Sequence, residues 1–311
     1  MLSHSAAIAV VQWNQSSHTL MSQRCFNNQD SHCHLLLNLK ELDLSAHSRL
    51  NCAQEAIDAA AQDQNLPQVL SREELASSAI SRRINSFLKS DIDCFYCFST
   101  CYKDAKACYE VLEYYSEQIE IANKTIYLGL GLHPFNVNAE YAIEINALEI
   151  LIERIQNIRP DIMPVLGEVG LDKRIEVPLQ LQLKCLKDFI AKTQAYKKPY
   201  SFHCVRAQNE LDALISSFGK DSLEVIIHGF NGSYGAAMSC LNKGYKLGLG
   251  SSLLAEQNAS KFAKIIKDAH IKGLQSTHML LESDFDGSKN QDYDASLLPK
   301  LEHQLHSLTN I

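Results

Sequence analysis

The run M-P-V-L-G-E-V-G-L-D at 163–172, the leucine-rich stretch at 179–196 and the run P-Y-S-F-H at 199–203 decide the fold. The first run is apolar and β-rich over 163–169, with Glu168 near the strand's end and Asp172 just past it. The second repeats apolar side chains at helical spacing. The third is short, apolar again, and ends on His203. Strand, helix and strand in that order form a βαβ unit, in which the helix crosses over so that the two strands lie parallel. Both strands therefore end, on the same side, in a residue that can bind a metal or a proton.

The same alternation continues outward. Strand candidates stand at 92–98, 125–132, 225–227, 245–249 and 279–283. Between them, one-sided apolar sets mark helices: Cys108, Val111, Leu112, Tyr115 and Ile119; Leu148, Leu151, Ile152 and Ile155; Leu211, Leu214, Ile215 and Phe218, with Gly219 as a fitting C-terminal residue. The stretch 261–269 also has helical spacing. Seven strands follow residue 92, so an eighth must precede it, and 24–29 is the candidate despite polar Asn27, Asn28 and Gln29. The expected fold is α/β, a (β/α)8 TIM barrel of the metal-dependent hydrolase type, with a doubly wound open sheet as the alternative. Residues 30–311 form one barrel domain, preceded by a disordered extension at 1–29. An Ala/Gln/Asn-rich insertion at 35–70 follows strand one and is expected to act as a lid or specificity loop. Ser71 and Glu74 have capping-box spacing, announcing a helix that carries Ile80, Ile84, Phe87 and Leu88.

Composition narrows the function. The 311 residues are 46 % hydrophobic, enough for one large core. No apolar run approaches the roughly 18 residues of a membrane-spanning helix. A net charge of −7 argues against a broad duplex-binding surface, so any nucleic-acid contact is local. Ten cysteines without a secretory signal read as reduced thiols, which places the chain in the cytoplasm, with the nucleus also open. Cys94 and Cys97 have zinc-like spacing, but no second such pair exists, and buried thiols are the plainer reading. Arg24 is the one basic residue among 1–29, so an organelle presequence is only an alternative to a simple tail.

The strand ends carry the chemistry. D-S-H-C-H at 30–34 follows the first candidate; then come His133, Glu168, His203, His228 and Asp284, each at or just past a strand. In a parallel barrel these ends converge on one face. His32 and His34, two apart on an extended end, point the same way and can share an ion. Taken singly, each has a bland reading: a hydrogen-bonded core histidine or a capping carboxylate. Together, even four of these histidines with two carboxylates exceed the needs of one tetrahedral ion. They suit two divalent ions sharing a carboxylate. Nitrogen-rich ligation favours Zn or Mn, and a phosphate substrate is compatible with Mg.

At these residues the sequence resembles the TatD family of metal-dependent hydrolases and deoxyribonucleases. D-S-H-C-H-L at 30–35, G-L-H-P at 131–134, G-E-V-G-L-D at 167–172, His203, H-G-F-N-G-S at 228–233 and L-L-E-S-D at 280–284 follow the family's order. The resemblance implies that His32, His34, Glu168 and Asp284 hold one metal, and Glu168, His203 and His228 the other. It implies that Asp284 orients and deprotonates the attacking water, that His133 contacts the scissile phosphate, and that Asp30 and Asp172 support the ligands from behind. The implied activity is 3′–5′ exonucleolytic hydrolysis of DNA or another phosphoester by a monomer. Three departures stand out. Val205 occupies the place where the DNases carry Arg, and Arg206 follows it; alternation along a strand would turn Arg206 to the opposite face. Phe285-Asp286-Gly287 replaces a motif containing Pro. The L-D-K and H-C-V wording is similar to a fungal-type branch. The alternatives are an amidohydrolase-type enzyme for another ester or amide, whose relatives bridge their metals with a carboxylated Lys rather than Glu168, and a non-catalytic barrel that binds a protein partner.

Overall fold

Eight strands pair in parallel, each with the next in sequence: β1 (Gln29–Cys33), β2 (Cys94–Phe98), β3 (Thr125–Leu130), β4 (Val165–Asp172), β5 (Tyr200–Val205), β6 (Val225–Ile227), β7 (Lys246–Leu249) and β8 (Met279–Leu281). The computed structural model describes residues 29–39, 42–219, 222–274, 278–286 and 293–309. Ser31 Oγ donates to Leu281 O at 2.7 Å, Asp284 N to His32 O at 3.0 Å, and His34 N to Phe285 O at 2.7 Å, which draws β8 and its exit against β1. The sheet thus comes round to a nearly closed TIM barrel rather than the open alternative.

The helices form the outer ring: α1 (Ala46–Ala61), α2 (Arg72–Leu75), α3 (Ser78–Leu88), α4 (Tyr102–Tyr114), α5 (Ser116–Ile121), α6 (Tyr141–Ile158), α7 (Leu179–Thr193), α8 (Gln208–Ser217), α9 (Tyr234–Asn242), α10 (Ala259–Ile271) and α11 (Leu297–Thr309). Most core residues fill the space between strands and helices. A separate cluster of Tyr96, Phe98, Val165, Ile226 and Leu280 comes from β2, β4, β6 and β8. Such a layer, built from alternate strands, is how a barrel interior is packed beneath its active face. No helix among the described residues is long and apolar enough to cross a membrane.

Three expectations need correcting. The first described strand is Gln29–Cys33, and of the expected 24–29 only Gln29 lies among the described residues; the polar motif itself is strand, because pairing with β2 and hydrogen bonds to the exit of β8 satisfy its backbone. Residues 1–28, and with them the tail and presequence readings, lie outside the described residues. The capping box of Ser71 and Glu74 forms but opens only the short α2, and Ser77 caps a separate α3 that carries Ile80, Ile84 and Phe87 inward. The helix of the insertion lies away from the cleft, while Asn38 ahead of it donates to Asp286 O at 3.0 Å, two residues past Asp284. Ala53, Ala56 and Ala59 give α1 a flat buried stripe, and this helix packs on the barrel's flank against α6 and α4. Small side chains at helical spacing permit that close approach.

Candidate metal centre

Glu168 lies within β4, whose every residue is buried. The strand keeps its glycines for a steric reason: at Gly170 (φ +158°) a Cβ would stand 1.9 Å from the carbonyl oxygen of His203 on β5. Both oxygens of Glu168 are surrounded by imidazoles. Oε2 lies 3.3 Å from His32 Nε2 and 3.6 Å from His34 Nε2. Oε1 lies 3.0 Å from His203 Nδ1, 3.5 Å from His133 Nε2 and 3.8 Å from His228 Nε2. Asp284 Oδ1 is 3.5 Å from His228 Nε2. Asp284 adopts φ +51° just past β8 and keeps its side chain half exposed at the rim. One carboxylate therefore faces two separate groups of nitrogen donors.

The donor atoms fall into groups within 4.8 Å: His32, Glu168 and His228; His32, His34 and Asp284; and His133, Glu168 and His203. These residues fit metal ions. His32 Nε2 is buried with no hydrogen-bond partner, an arrangement that costs free energy unless a ligand fills it. All six sequence-predicted ligands are brought together, and His133 joins them.

Partners on the far side of each ring assign its role. His34 Nδ1 lies 2.8 Å from the carbonyl oxygen of Phe98, which can only accept, so Nδ1 carries the proton and Nε2 offers a lone pair to the centre. His228 Nδ1 lies 3.3 Å from Glu282 Oε1, close enough for charge attraction although the pair lacks hydrogen-bond geometry, and its Nε2 faces the centre. His133 is the reverse. The Phe135 N–H points to its Nδ1 at 3.3 Å, which leaves the proton of the neutral ring on Nε2, facing Glu168. His133 is therefore set up to donate a hydrogen bond. His32 is clamped between the rings of Phe98 (4.2 Å between centroids) and His228 (3.6 Å).

Electrostatics follows from this crowding. Burial opposes ionisation of Glu168, but His133, His228 and His32 outweigh it and hold the carboxyl well below its usual range. Burial, reinforced by His228, drives His32 well below a normal imidazole, so it stays neutral, as a ligand must. Burial also lowers His133. At His228 burial works downward, yet the carboxylates of Glu282 and Glu168 push it up to about 10. His203 is raised as well, because Glu168 and Asp172 outweigh its burial. Without a metal, the same carboxylates favour a proton on His228 and, in the same direction, on His203.

The supporting residues are more extensive than the motifs suggested. Asp172 holds His203 Nε2 at 3.2 Å and accepts from Arg174 N at 2.7 Å, which, with His203, keeps its own carboxyl ionised against burial. Asp30 does not face the centre. It accepts from Ser283 N (2.9 Å), Ser283 Oγ (2.5 Å) and Tyr293 Oη (2.8 Å) and so fixes the turn that carries Asp284; burial pushes it up to about 6 against those hydrogen bonds. Glu282, quoted in L-L-E-S-D but given no role from sequence, is 1 % exposed and also accepts from Gly229 N at 2.6 Å. Its place is kept by Gly248, where a Cβ would stand 2.0 Å from Oε2. Its spacing, two before Asp284 on the same strand exit, was the available signal. Arg49 of α1, invisible as a site residue from sequence, is buried. It donates to Glu144 Oε1 (3.0 Å), to Asn136 O (3.0 Å) and to Asn136 Oδ1, bracing the turn after His133.

A cleft of about 800 Å³ opens beside Glu282 and Asp284, and none of its lining comes from the described residues of 35–70. Both Val205 and Arg206 line it. The expected turn of Arg206 to the opposite face does not occur, because β5 ends at Val205 and Arg206 takes φ +55°, which breaks the alternation.

Comparison with known proteins matches residues 29–301 to the model of the TatD-related DNase family. An uncharacterized metal-dependent hydrolase of Escherichia coli, YjjV, is 28 % identical over 160 residues, covering 51 % of this chain and 58 % of that protein. A metal-dependent hydrolase of Haemophilus influenzae is 26 % identical over 159 residues, covering 49 % and 59 %. The matched stretch is thus less than two thirds of these relatives' length. Among solved structures, a TatD-family hydrolase from Entamoeba histolytica superposes with a TM-score of 0.60 at 18 % identity, covering 92 % of this chain and 93 % of that one. The E. coli YjjV structure gives 0.58 at 20 %, covering 90 % and 89 %.

Proposed function

This chain belongs to the TatD-related DNase family, and on that premise we propose that it is a divalent-metal-dependent phosphodiesterase that shortens DNA from an end. The observation that carries the reading is Glu168, whose two buried oxygens face two different sets of histidines. His32, His34, Glu168 and Asp284 would hold one cation, and Glu168, His203 and His228 a second, with Zn, Mn or Mg as candidates. Bound there, the ions supply an activated water and charge stabilisation for a displacement at phosphorus.

The chain's own residues do the rest. Asp284, the half-exposed carboxylate of the set, is open to the cleft and takes the proton of the attacking water. His133 donates from Nε2 to a non-bridging phosphate oxygen, the role its ring orientation supports. Glu282 and the carbonyl of Phe98 keep the rings of His228 and His34 turned so that their Nε2 lone pairs face inward. A carboxylate at Glu168, where a modified lysine would otherwise be expected, favours the phosphodiester reading over other amidohydrolase chemistry.

The test is elemental analysis of the purified protein, with single-stranded DNA digestion in Mg, Mn or Zn beside an Asp284→Asn control. About two metals per chain, with digestion lost in the variant, is the expected result. Two metals without digestion of DNA refutes the nuclease and redirects the search to smaller phosphoesters.

A further inference from the structure

Among the described residues three cations line the cleft, and two are spoken for. Lys173 Nζ pairs with Glu210 Oε1 at 2.6 Å, and Arg174 Nε lies 3.8 Å from Asp172 Oδ1. Arg206 is exposed, and its guanidinium has no hydrogen-bond or ion-pair partner among the described residues. Its backbone sits at φ +55°, a region that side chains other than Gly, Asn and Asp seldom adopt. β5 ends just before it, where Lys173 N donates to Val205 O at 3.1 Å, so the left-handed residue stands where strand pairing stops. An Arg held in an unfavourable conformation, without a partner among the described residues, at the mouth of a site built for an anionic reaction centre is best explained by an external anion.

We propose that Arg206 binds a second anionic group of the substrate, so that the chain favours phosphodiesters carrying a further phosphate beside the scissile one; this rests on the phosphodiesterase reading above. The guanidinium fork matches two oxygens of a phosphate. Arg206 follows His203 by three residues, so the subsite adjoins the metal centre. The cleft, at about 800 Å³, has room for more than one phosphate. The overall charge of −7 makes such a cation a local device and not part of a general basic surface.

The test compares thymidylyl-thymidine, whose one phosphate is the scissile one, with the same dinucleotide carrying an additional terminal phosphate. Arg206→Gly removes the guanidinium and relieves the positive φ, so folding is preserved, and an unchanged melting temperature verifies it. The wild type is expected to prefer the phosphorylated dinucleotide by about tenfold in kcat/KM, the size of one charge-assisted contact. Arg206→Gly should lose most of that preference through KM, and Arg206→Lys should fall between them. A readout without turnover is calorimetric binding of thymidine 3′,5′-bisphosphate to the metal-free protein, which Arg206→Gly should weaken. A preference and an affinity that survive Arg206→Gly overturn the proposal, as does a wild type that does not discriminate. Hydrolysis of neither dinucleotide by the metal-loaded wild type overturns the phosphodiesterase reading and this inference with it.

Discussion

Replacing Glu282 by Gln tests how the centre trades protons for metal. Gln keeps the volume and still accepts from Gly229 N through its amide oxygen, so the fold survives. It removes the charge that, with Glu168, pushes His228 up to about 10 against burial. Two effects on metal affinity follow, with opposite signs. The bound imidazole loses its carboxylate partner, which weakens binding about 10- to 100-fold, or about 1.4–2.7 kcal/mol. Proton competition at His228 also falls, and this favours binding below the wild-type pKa. Wild-type affinity should therefore climb at least about tenfold per pH unit from pH 7 to 9, while the variant's curve flattens as pH passes its lower His228 pKa. The affinity ratio of wild type to variant grows with pH. For the metal-free protein the raised His228 pKa contributes stability that is fully present below about 6.5 and lost as pH rises through about 10, so the variant's deficit should shrink over that window. Competitive titration against a chelator, with thermal melts of the metal-free forms, reads both. An affinity ratio that is constant with pH would refute the assignment of Glu282 to His228.

His133→Gln should leave the metal content unchanged and lower kcat about 100- to 1000-fold, because this ring is oriented as a donor to the substrate; elemental analysis beside single-turnover assays separates the two. Arg49→Met should destabilise the fold by about 3–5 kcal/mol, since it leaves the buried Glu144 without its cation, and denaturant unfolding measures it. Gly248→Ala forces a methyl toward Glu282 Oε2, so a loss of about 1–3 kcal/mol in stability together with weaker metal binding is expected from melts and chelator titration. Asp30→Ala strands three donors from Ser283 and Tyr293; metal occupancy should fall although Asp30 is no ligand, and substoichiometric metal after dialysis would verify it.

Much of this was legible in the sequence because strands and helices write their periods directly into the chain. The alternation of β-rich and helical runs determined parallel strands with crossover helices, leaving the closed barrel against an open sheet to the structure, and the residue types at the strand ends pointed to metal chemistry. His32, His34, Glu168, His203, His228 and Asp284 needed only the rule that parallel strand ends share a face. What stayed hidden depends on distance through space or on a single backbone angle. Gln29–Cys33 became a strand through its pairing with β2 and its hydrogen bonds to the exit of β8, which no local propensity announces. The tautomers of His34 and His133 are set by the Phe98 carbonyl and the Phe135 amide. Glu282 reaches His228 across β7 because Gly248 leaves room, and Arg49 reaches Asn136 from an insertion expected elsewhere. Arg206 enters the cleft because its φ is positive where the strand stops. A sequence specifies periodicity and donor types one residue at a time; which ring carries its proton where, and which cation is left unpaired, are properties of neighbours that only the closed barrel brings together.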